Sequence, residues 1–373
     1  MLFKDVVGHV ELKKRLREEI RNGKVSHAQL FLGQVGHGSL AMALAYGQYL
    51  ICKDRQQEDS CGVCSNCHKY SKGIHADVHY IYPVVLAEGK VSDEFIELWR
   101  EKVINGTPYI NYQEWVHSIS TKARSGIIGT EECNNLSKKL SLTSYEGGYR
   151  IVIIWMAEEM NASFANKVLK SLEEPSDKTI FLLVAEEGQK MLPTILSRAQ
   201  TKTIPRVSFP ETVDFLMKNH GMKQNTAQSL TARFDSNISV ILENSEDHDS
   251  SEIYKDSFIE LMRAAYKKNV PEMLDWSEKM GGSEKGMQSA FLLYSIHMFR
   301  QSILKNYTDD ELYRVSASEE EFLKNFARFI TGNNIQDFAN EFSQAHYYLE
   351  RNANPRIVFT ELCFQVMRFI HVA

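Results

Sequence analysis

The sequence predicts an α/β region followed by an all-α region. Three observations predict it. The stretch FLGQVGHGSL, Phe31 to Leu40, follows apolar residues and precedes an alanine-rich, helix-favouring run, Ala41 to Leu50, so it reads as strand, glycine loop and helix. RIVIIW (Arg150–Trp155) and TIFLLVA (Thr179–Ala185) are unbroken apolar runs, the mark of strands buried on both faces of a parallel sheet. Beyond Glu252 the apolar positions recur at helical spacing to the end of the chain.

In order, Asp5 to Arg21 reads as an amphipathic helix behind a short lead-in. The glycine loop follows. Gly33, Gly36 and Gly38 sit where the phosphate-binding pattern G-x-x-x-x-G-K-[ST] and its G-x-x-G-x-G-K-[ST] subset want them. The two residues that do the chemistry are absent. Ser39 replaces the lysine that reaches the β- and γ-phosphates, and Leu40 replaces the hydroxyl that ligates Mg²⁺. Loop amides at a helix N-terminus still attract an anion weakly, but no ATP or Mg²⁺ is expected in this site.

Next comes CKDRQQEDSCGVCSNC, with spacing C-x8-C-x2-C-x2-C. Cys52, Cys61, Cys64 and Cys67 can enclose one tetrahedral Zn²⁺, and the polar linker Lys53–Ser60 has no core of its own to order it. Incidental cysteines would not keep two consecutive x2 spacings. His68 and His75 are read as surface residues, since four thiolates fill a structural site. His79–Val85 (HYIYPVV) reads as a strand. Residues 87–120 carry helical patches at Phe95–Val103 and Tyr112–Ile119 but no assigned chemistry. Glu131–Leu142 reads as a helix closed by the turn Glu146-Gly147-Gly148.

The two apolar strands flank a helix with an apolar stripe, Met160, Phe164, Val168 and Leu172, ended by Glu173-Glu174-Pro175. This is a β-α-β unit with parallel strands. A working phosphate-binding ATPase carries an acidic pair at the end of the first strand. Here those positions hold Trp155 and Met156, with Glu158 and Glu159 arriving late. Two parts of a hydrolytic site are thus missing. After the second strand comes LPTILSRAQ, where Arg198, taken alone, reads as a surface arginine. Phe209–Glu243 forms a small helical region, and the polar, acidic stretch Glu243–Glu252 reads as a linker. Helices are expected at Ile253–Lys268, Pro271–Met280, Glu284–Lys305, Glu319–Thr331, Ile335–Asn352 and Pro355–His371. Asn354-Pro355 caps the last one. The stripe of Glu284–Lys305 is wide enough for core packing and also for helices flanked by neighbouring subunits.

The chain has 373 residues, with 43 Lys+Arg against 48 Asp+Glu and a formal net charge of -5, which argues against strong nucleic-acid binding by the isolated chain. The N-terminal stretch has no continuous apolar segment of the signal-peptide kind, and no run approaches the roughly 20 apolar residues of a membrane span. Four of the six cysteines are clustered, which suits a metal in a reducing compartment, so no membrane association and a cytoplasmic location are expected.

AEEMNASFANKVLKSLEEPSDKTIFLLVA, then LPTILSRAQ, together with SHAQLFLG, the four-cysteine insert and the Asn354–Arg356 signature, resembles the delta-prime subunits of the bacterial DNA polymerase III clamp loader. The resemblance covers residues 1–205 by specific motifs and the rest by helical character. It implies an AAA+ core over 1–205 with a zinc module at 52–70, a helical lid over 206–245 and a C-terminal helical collar over 246–373. It implies a non-hydrolysing stator that joins gamma/tau motor subunits and delta through the collar, and loads the sliding clamp on primed DNA in DNA replication. It also implies that Ser197-Arg198, in a Ser-Arg-Cys motif that reads Ser197-Arg198-Ala199 here, offers Arg198 as an arginine finger to the ATP of the adjacent motor subunit. The chain would then be a component of the polymerase holoenzyme with no polymerase or ATPase activity of its own. Two rival readings are an active AAA+ ATPase motor subunit, which needs the residues missing at 39, 40 and 155, and a zinc-dependent nucleic-acid-binding module, which the acidic balance disfavours.

Overall fold

The structure, a computed structural model, describes residues 1–373 apart from 123–124, 142, 176–177, 245–249, 308–312, 314, 316, 352 and 373. The chain divides into two compact units. One comprises Met1–Thr212 with Asn237–Ser239, the other Val213–Ser236 with Val240–Ala373. Half of the expected linker Glu243–Glu252 lies outside the described residues, at 245–249.

The first unit is built on five parallel strands, β1 (Ala28–Leu32), β2 (Val78–Ile81), β3 (Arg150–Trp155), β4 (Thr179–Ala185) and β5 (Gln200–Thr203), in the order β2-β3-β4-β1-β5. Every residue of β3 and β4 is buried, as their unbroken apolar runs require. Helix Ala162–Glu173 connects them and places Phe164, Ala165, Val168 and Leu172 in the same core as Val152, Ile154, Phe181 and Leu183. In register, Leu32 lies beside Ala185 and Thr203, and Trp155 beside Val184. The carboxyl ends of four strands therefore form one edge, and the glycine loop leaves from it.

Three expectations need correction. The helix expected over Asp5–Arg21 begins at Val10, because Gly8 and His9 adopt left-handed backbone angles (φ +65° and +59°). The strand expected over His79–Val85 ends at Ile81. Pro83 has no N–H for a ladder, and only Val84 pairs further, antiparallel with Ile127. Strand β5 escapes the sequence reading altogether. Its residues QTKT are polar, and only Lys202 is buried, paired with Glu19 at 2.5 Å.

The second unit is helical among its described residues. Helices Ser250–Tyr266, Val270–Gly281, Lys285–Tyr307, Ala317–Phe326, Ile335–Glu350 and Pro355–Phe369 fall close to the expected spans. The wide stripe of Lys285–Tyr307 is covered by the unit itself. Phe291, Tyr294, Met298 and Phe299 are buried with Phe258, Phe338, Phe342 and Phe359, and the rings of Phe299 and Phe338 lie 4.6 Å apart. Asn354 Oδ1 accepts the Arg356 N–H at 3.1 Å, capping the last helix. A side chain at Gly281 would meet the Arg356 backbone at 3.0 Å, so the Asn-Pro-Arg start packs on a glycine. Residues Val213–Ser236 belong to this unit, and Arg233 lies over the Tyr294 ring at 5.4 Å. Among the described residues, no helix is long and apolar enough to cross a membrane.

Candidate functional site

The glycine loop keeps the backbone of a phosphate loop. Gly36 and Gly38 have φ of +77° and +95°, which side chains rarely adopt. What surrounds it differs from a nucleotide cradle. Ser39 is buried and turns its hydroxyl toward the Gly33 carbonyl at 3.4 Å, and Leu40 is buried as well. The Gly33 N–H donates to Ala185 and the His37 N–H to Gln34, so two loop amides are already used. Asn237 packs directly on Gly36, where an added Cβ would come within 1.8 Å of its Oδ1, and the Ile238 N–H donates to the Gly36 carbonyl at 3.2 Å. His37 accepts the Val207 N–H on Nδ1. Burial, reinforced by the Arg206 charge, lowers its pKa to about 4, so the ring stays neutral. At positions 39 and 40 the loop therefore offers a ligand neither a lysine nor a metal-binding hydroxyl, and the nearby Arg206 guanidinium donates Nε to Gln34 Oε1 at 3.1 Å.

The end of β3 is equally closed. Trp155 is buried, its ring 5.6 Å from Trp99 and 6.2 Å from Trp115, and Tyr82 stacks on Trp99 at 4.3 Å. Residues 87–120, which carry no chemistry in the sequence, thus supply two of the rings that fill the place of a metal-binding aspartate. Met156 takes a left-handed conformation, φ +54°, and turns the chain away from the strand. Glu158 does not substitute for the missing acid. Its Oε1 accepts the N–H groups of Glu186 and Glu187 at 2.7 and 3.1 Å, which ties it to the end of β4. Burial, and next the Glu158 charge, push the Glu186 carboxyl up to about 8.

Arg198 is exposed in the turn between helix Pro193–Leu196 and β5. Its Nη2 pairs with Glu173 Oε1 at 2.5 Å, and its Nη1 donates to the Thr194 carbonyl at 3.1 Å and to Ser197 Oγ at 3.2 Å. Glu173 therefore gives the guanidinium a partner within its own chain. Among the described residues, the partners of Arg198 are Glu173, Thr194 and Ser197, none of them in the glycine loop, and the two stand as separate features of one unit.

The four cysteines converge. Cys52 ends helix Ser39–Ile51, and Cys64 caps helix Ser65–Ser71 by accepting the Cys67 N–H at 3.5 Å. The four Sγ atoms lie within 4.8 Å of one another, with separations of 3.5 Å for Cys52–Cys61 and 3.9 Å for Cys61–Cys67. A tetrahedron of thiolates with metal–sulfur bonds of about 2.3 Å has edges of about 3.8 Å, so the set fits an ion of that kind. The N–H groups of Cys61 and Cys64 point at Cys52 Sγ and Cys61 Sγ, both at 3.3 Å, the orientation that stabilises thiolate charge. Burial alone would raise the Cys64 thiol. Hydrogen bonds from the Cys67 and Lys53 backbones outweigh it and lower the pKa to about 6.

The linker between the first two cysteines is also held by protein contacts that the sequence did not reveal. Asp59 accepts the N–H groups of Phe3 and Lys4 at 3.0 and 2.9 Å, Arg17 pairs with Glu58 at 2.9 Å, and Tyr49 donates to the Gln56 carbonyl at 3.0 Å. Of the two nearby histidines, His68 is exposed as expected, but His75 is buried at 4% exposure, its Nδ1 accepting the Asp77 N–H. Reading it as a surface residue missed that the turn into β2 is folded inward.

The family model described as DNA polymerase III, delta subunit matches residues 8–208, more than half of the chain. The delta-prime subunit of Bacillus subtilis (strain 168) is 29% identical over 188 residues, which is 50% of this chain and 45% of that protein. The delta-prime subunit of Yersinia pestis is 30% identical over 176 residues, 47% of this chain and 41% of that protein. The tau subunit of Bacillus subtilis is 26% identical over 206 residues, 55% of this chain and 29% of that protein. The chain spans less than half the length of the curated delta-prime relatives it matches. A solved gamma subunit-related protein of Thermotoga maritima gives a loose likeness, with a TM-score of 0.35 and 14% identity over 95% of this chain and 99% of its own. With its glycine loop, its β-α-β unit and its cysteine insert all inside the matched stretch, the chain belongs to the DNA polymerase III delta-prime subunit family.

Proposed function

We propose that this chain is the non-hydrolysing stator of a DNA polymerase III clamp loader, acting in DNA replication and located in the cytoplasm. The observation that carries the reading is the buried Ser39, whose hydroxyl turns back to Gly33 where a nucleotide engine extends a lysine. Trp155 and the Asn237 side chain against Gly36 support it from two other directions. Curated relatives named delta-prime and tau support membership of a hetero-oligomer with motor (gamma/tau) and delta subunits, and with them action on the sliding clamp and primed DNA. In this reading residues 1–205 are the AAA+ core, 206–245 the lid and 246–373 the collar. Cys52, Cys61, Cys64 and Cys67 hold a structural Zn²⁺, which the sulfur spacing supports. Arg198, positioned by Ser197 and Glu173, serves the neighbouring subunit's ATP in trans.

The deciding experiment is a calorimetric titration of the full chain with Mg·ATP. No saturable heat below about 100 μM is expected, and a Mg²⁺-dependent dissociation constant near 1 μM, worth about 8 kcal/mol, overturns the stator reading in favour of a motor subunit.

A further inference from the structure

The four sulfurs of the cysteine cluster are not equivalent. Cys52 and Cys67 are buried, at 2% and 0% exposure, whereas Cys61 and Cys64 are half-buried and within reach of a small solute. Cys61 combines that access with a close neighbour. Its Sγ lies 3.5 Å from Cys52 Sγ and 3.9 Å from Cys67 Sγ. Cys64 is placed differently: it caps helix Ser65–Ser71, and its sulfur accepts the Cys67 N–H.

The chain also anchors Cys52 and Cys61 without help from a metal. Cys52 closes helix Ser39–Ile51, its N–H donating to the Gln48 carbonyl at 3.1 Å. Cys61 follows closely on Asp59, whose carboxylate accepts the N–H groups of Phe3, Lys4 and Ser60 at 3.0, 2.9 and 2.8 Å. Within the loop between the two cysteines, the Gln56 N–H donates to the Asp59 carbonyl at 2.9 Å, and Arg17 pairs with Glu58. Two sulfurs carried on such a frame stay adjacent when a metal leaves. Adjacency of that kind makes bond formation between them effectively unimolecular.

We propose, on the footing of a zinc held by the four thiolates, that Cys61 is a site of peroxide modification and that Cys52 resolves it. A hydroperoxide then releases the metal and leaves a Cys52–Cys61 disulfide. The Cys61 thiolate attacks one peroxide oxygen, the O–O bond breaks, and hydroxide departs, leaving a sulfenic acid on Cys61. The Cys52 thiolate attacks the Cys61 sulfur, an S–S bond forms, and the S–O bond breaks with loss of a second hydroxide. The pair of thiolates gives up two electrons, the peroxide takes both, and solvent protons neutralise the hydroxides. Zinc loses two of its four ligands, and Cys64 and Cys67 alone do not make a closed structural site, so the ion passes to solvent. Reduction by a dithiol restores the four thiolates and with them the site.

The test treats the zinc-loaded full chain with excess hydrogen peroxide. A chromogenic chelator follows the metal, alkylation follows the thiols, and tryptic mapping locates the bond. Cleavage at Lys53, Arg55 and Lys69 puts Cys52 on one peptide and Cys61, Cys64 and Cys67 together on another. The expected product joins these two peptides, fragmentation places the bond at Cys61, and one zinc appears per disulfide. Cys133 and Cys363 are buried and should stay reduced, so the free-thiol count should fall from six by two. Dithiothreitol and added zinc should reverse both changes. Asp59→Ala removes the anchor but no ligand, so it should still load with zinc, and its Cys52–Cys61 product should fall several-fold in favour of Cys64–Cys67. Thiols that survive the peroxide, a bond confined to Cys64–Cys67 in the unaltered chain, a sulfinic acid without a disulfide, or a disulfide formed with zinc retained each overturn the proposal. An unchanged partition in Asp59→Ala overturns the anchoring as its cause. Absence of zinc before any oxidant is added overturns the zinc reading instead, and the mapping then decides the disulfide in the metal-free chain.

Discussion

Arg198 shows how much one side chain can hide in a sequence. The string Ser197-Arg198-Ala199 says nothing of Glu173, which lies 25 residues earlier on the helix before β4 and holds the guanidinium at 2.5 Å. Both side chains are more than a third exposed, so the pair adds little to stability. What it fixes is orientation, since the same guanidinium also donates to the Thr194 carbonyl. In a complex reconstituted with motor and delta subunits, Arg198→Ala should leave assembly intact and lower DNA- and clamp-stimulated ATPase. Fingers of this kind are worth roughly 10³–10⁵ in rate, or about 4–7 kcal/mol, and other sites in a ring dilute the loss. Arg198→Lys should recover part of the rate, since it keeps the charge but loses the fork. An unchanged ATPase rate for Arg198→Ala would leave the residue as surface decoration. Glu186 makes a second residue-scale prediction. Burial and the Glu158 charge raise its pKa to about 8, so the folded state binds a proton that the unfolded chain has released above its ordinary value near 4.5. Stability from this group is therefore full below pH 4.5 and is lost as pH rises toward 8. Glu186→Gln should raise the melting temperature at pH 8 by a few degrees, roughly the effect of 1 kcal/mol, and change it little at pH 5. An equal change at both pH values would show that the carboxyl is ionised throughout.

Among the elements, those with periodic apolar patterns were legible and those defined by a partner were not. β3, β4 and the helix between them announce themselves because every position or every fourth position must be apolar to lie in that core. β5 has no such signal, since an edge strand with one buried residue needs only backbone pairing to β1. The glycine loop was legible as a loop, and its missing lysine and hydroxyl were legible as absences. That Asn237 packs on Gly36 was not, because the contact joins residues two hundred positions apart. The cysteine loop was legible as a metal-ligand set, but its second support was not. Spacing shows four thiols; it cannot show that Asp59, Glu58 and Gln56 are bound to the first helix, its lead-in and Tyr49. This refines the effect of losing a ligand. Zinc in such peptides supplies an apparent 10–16 kcal/mol, roughly, and Cys61→Ser or Cys64→Ser should release it. The segment from Cys61 to Ser71 should then lose hydrogen-exchange protection, while Phe3 and Lys4, held through Asp59, keep theirs. Protein purified without chelator that contains no zinc, or a variant that keeps full metal content, would show that the thiols do not form the site.

At the scale of the whole molecule, two compact units, each with its own core, should behave as two thermodynamic bodies. The first unit is organised around the sheet core of Ile154, Phe164, Phe181 and Leu183, and the second around Phe258, Phe291, Phe299 and Phe338. Each is large enough to bury a core of its own, and chains of this size commonly depart from a single two-state transition. The four tryptophans divide in a useful way. Trp99, Trp115 and Trp155 pack edge-on and tilted against one another in the first unit, and Trp276 packs against Phe291 at 5.3 Å in the second. Fluorescence of a Trp276→Phe variant therefore reports the first unit alone, and calorimetry reports both. Scanning calorimetry should resolve two transitions, and one of them should coincide with the fluorescence change of Trp276→Phe. The Cys61→Ser substitution should lower that transition only, since the four clustered cysteines lie in the first unit; at roughly 2–4 °C per kcal/mol for units of this size, the drop should exceed the width of ordinary measurement error. The other transition should stay in place, because no cysteine of the cluster belongs to the second core. A single transition that shifts as a whole on Cys61→Ser would mean that the two cores unfold together.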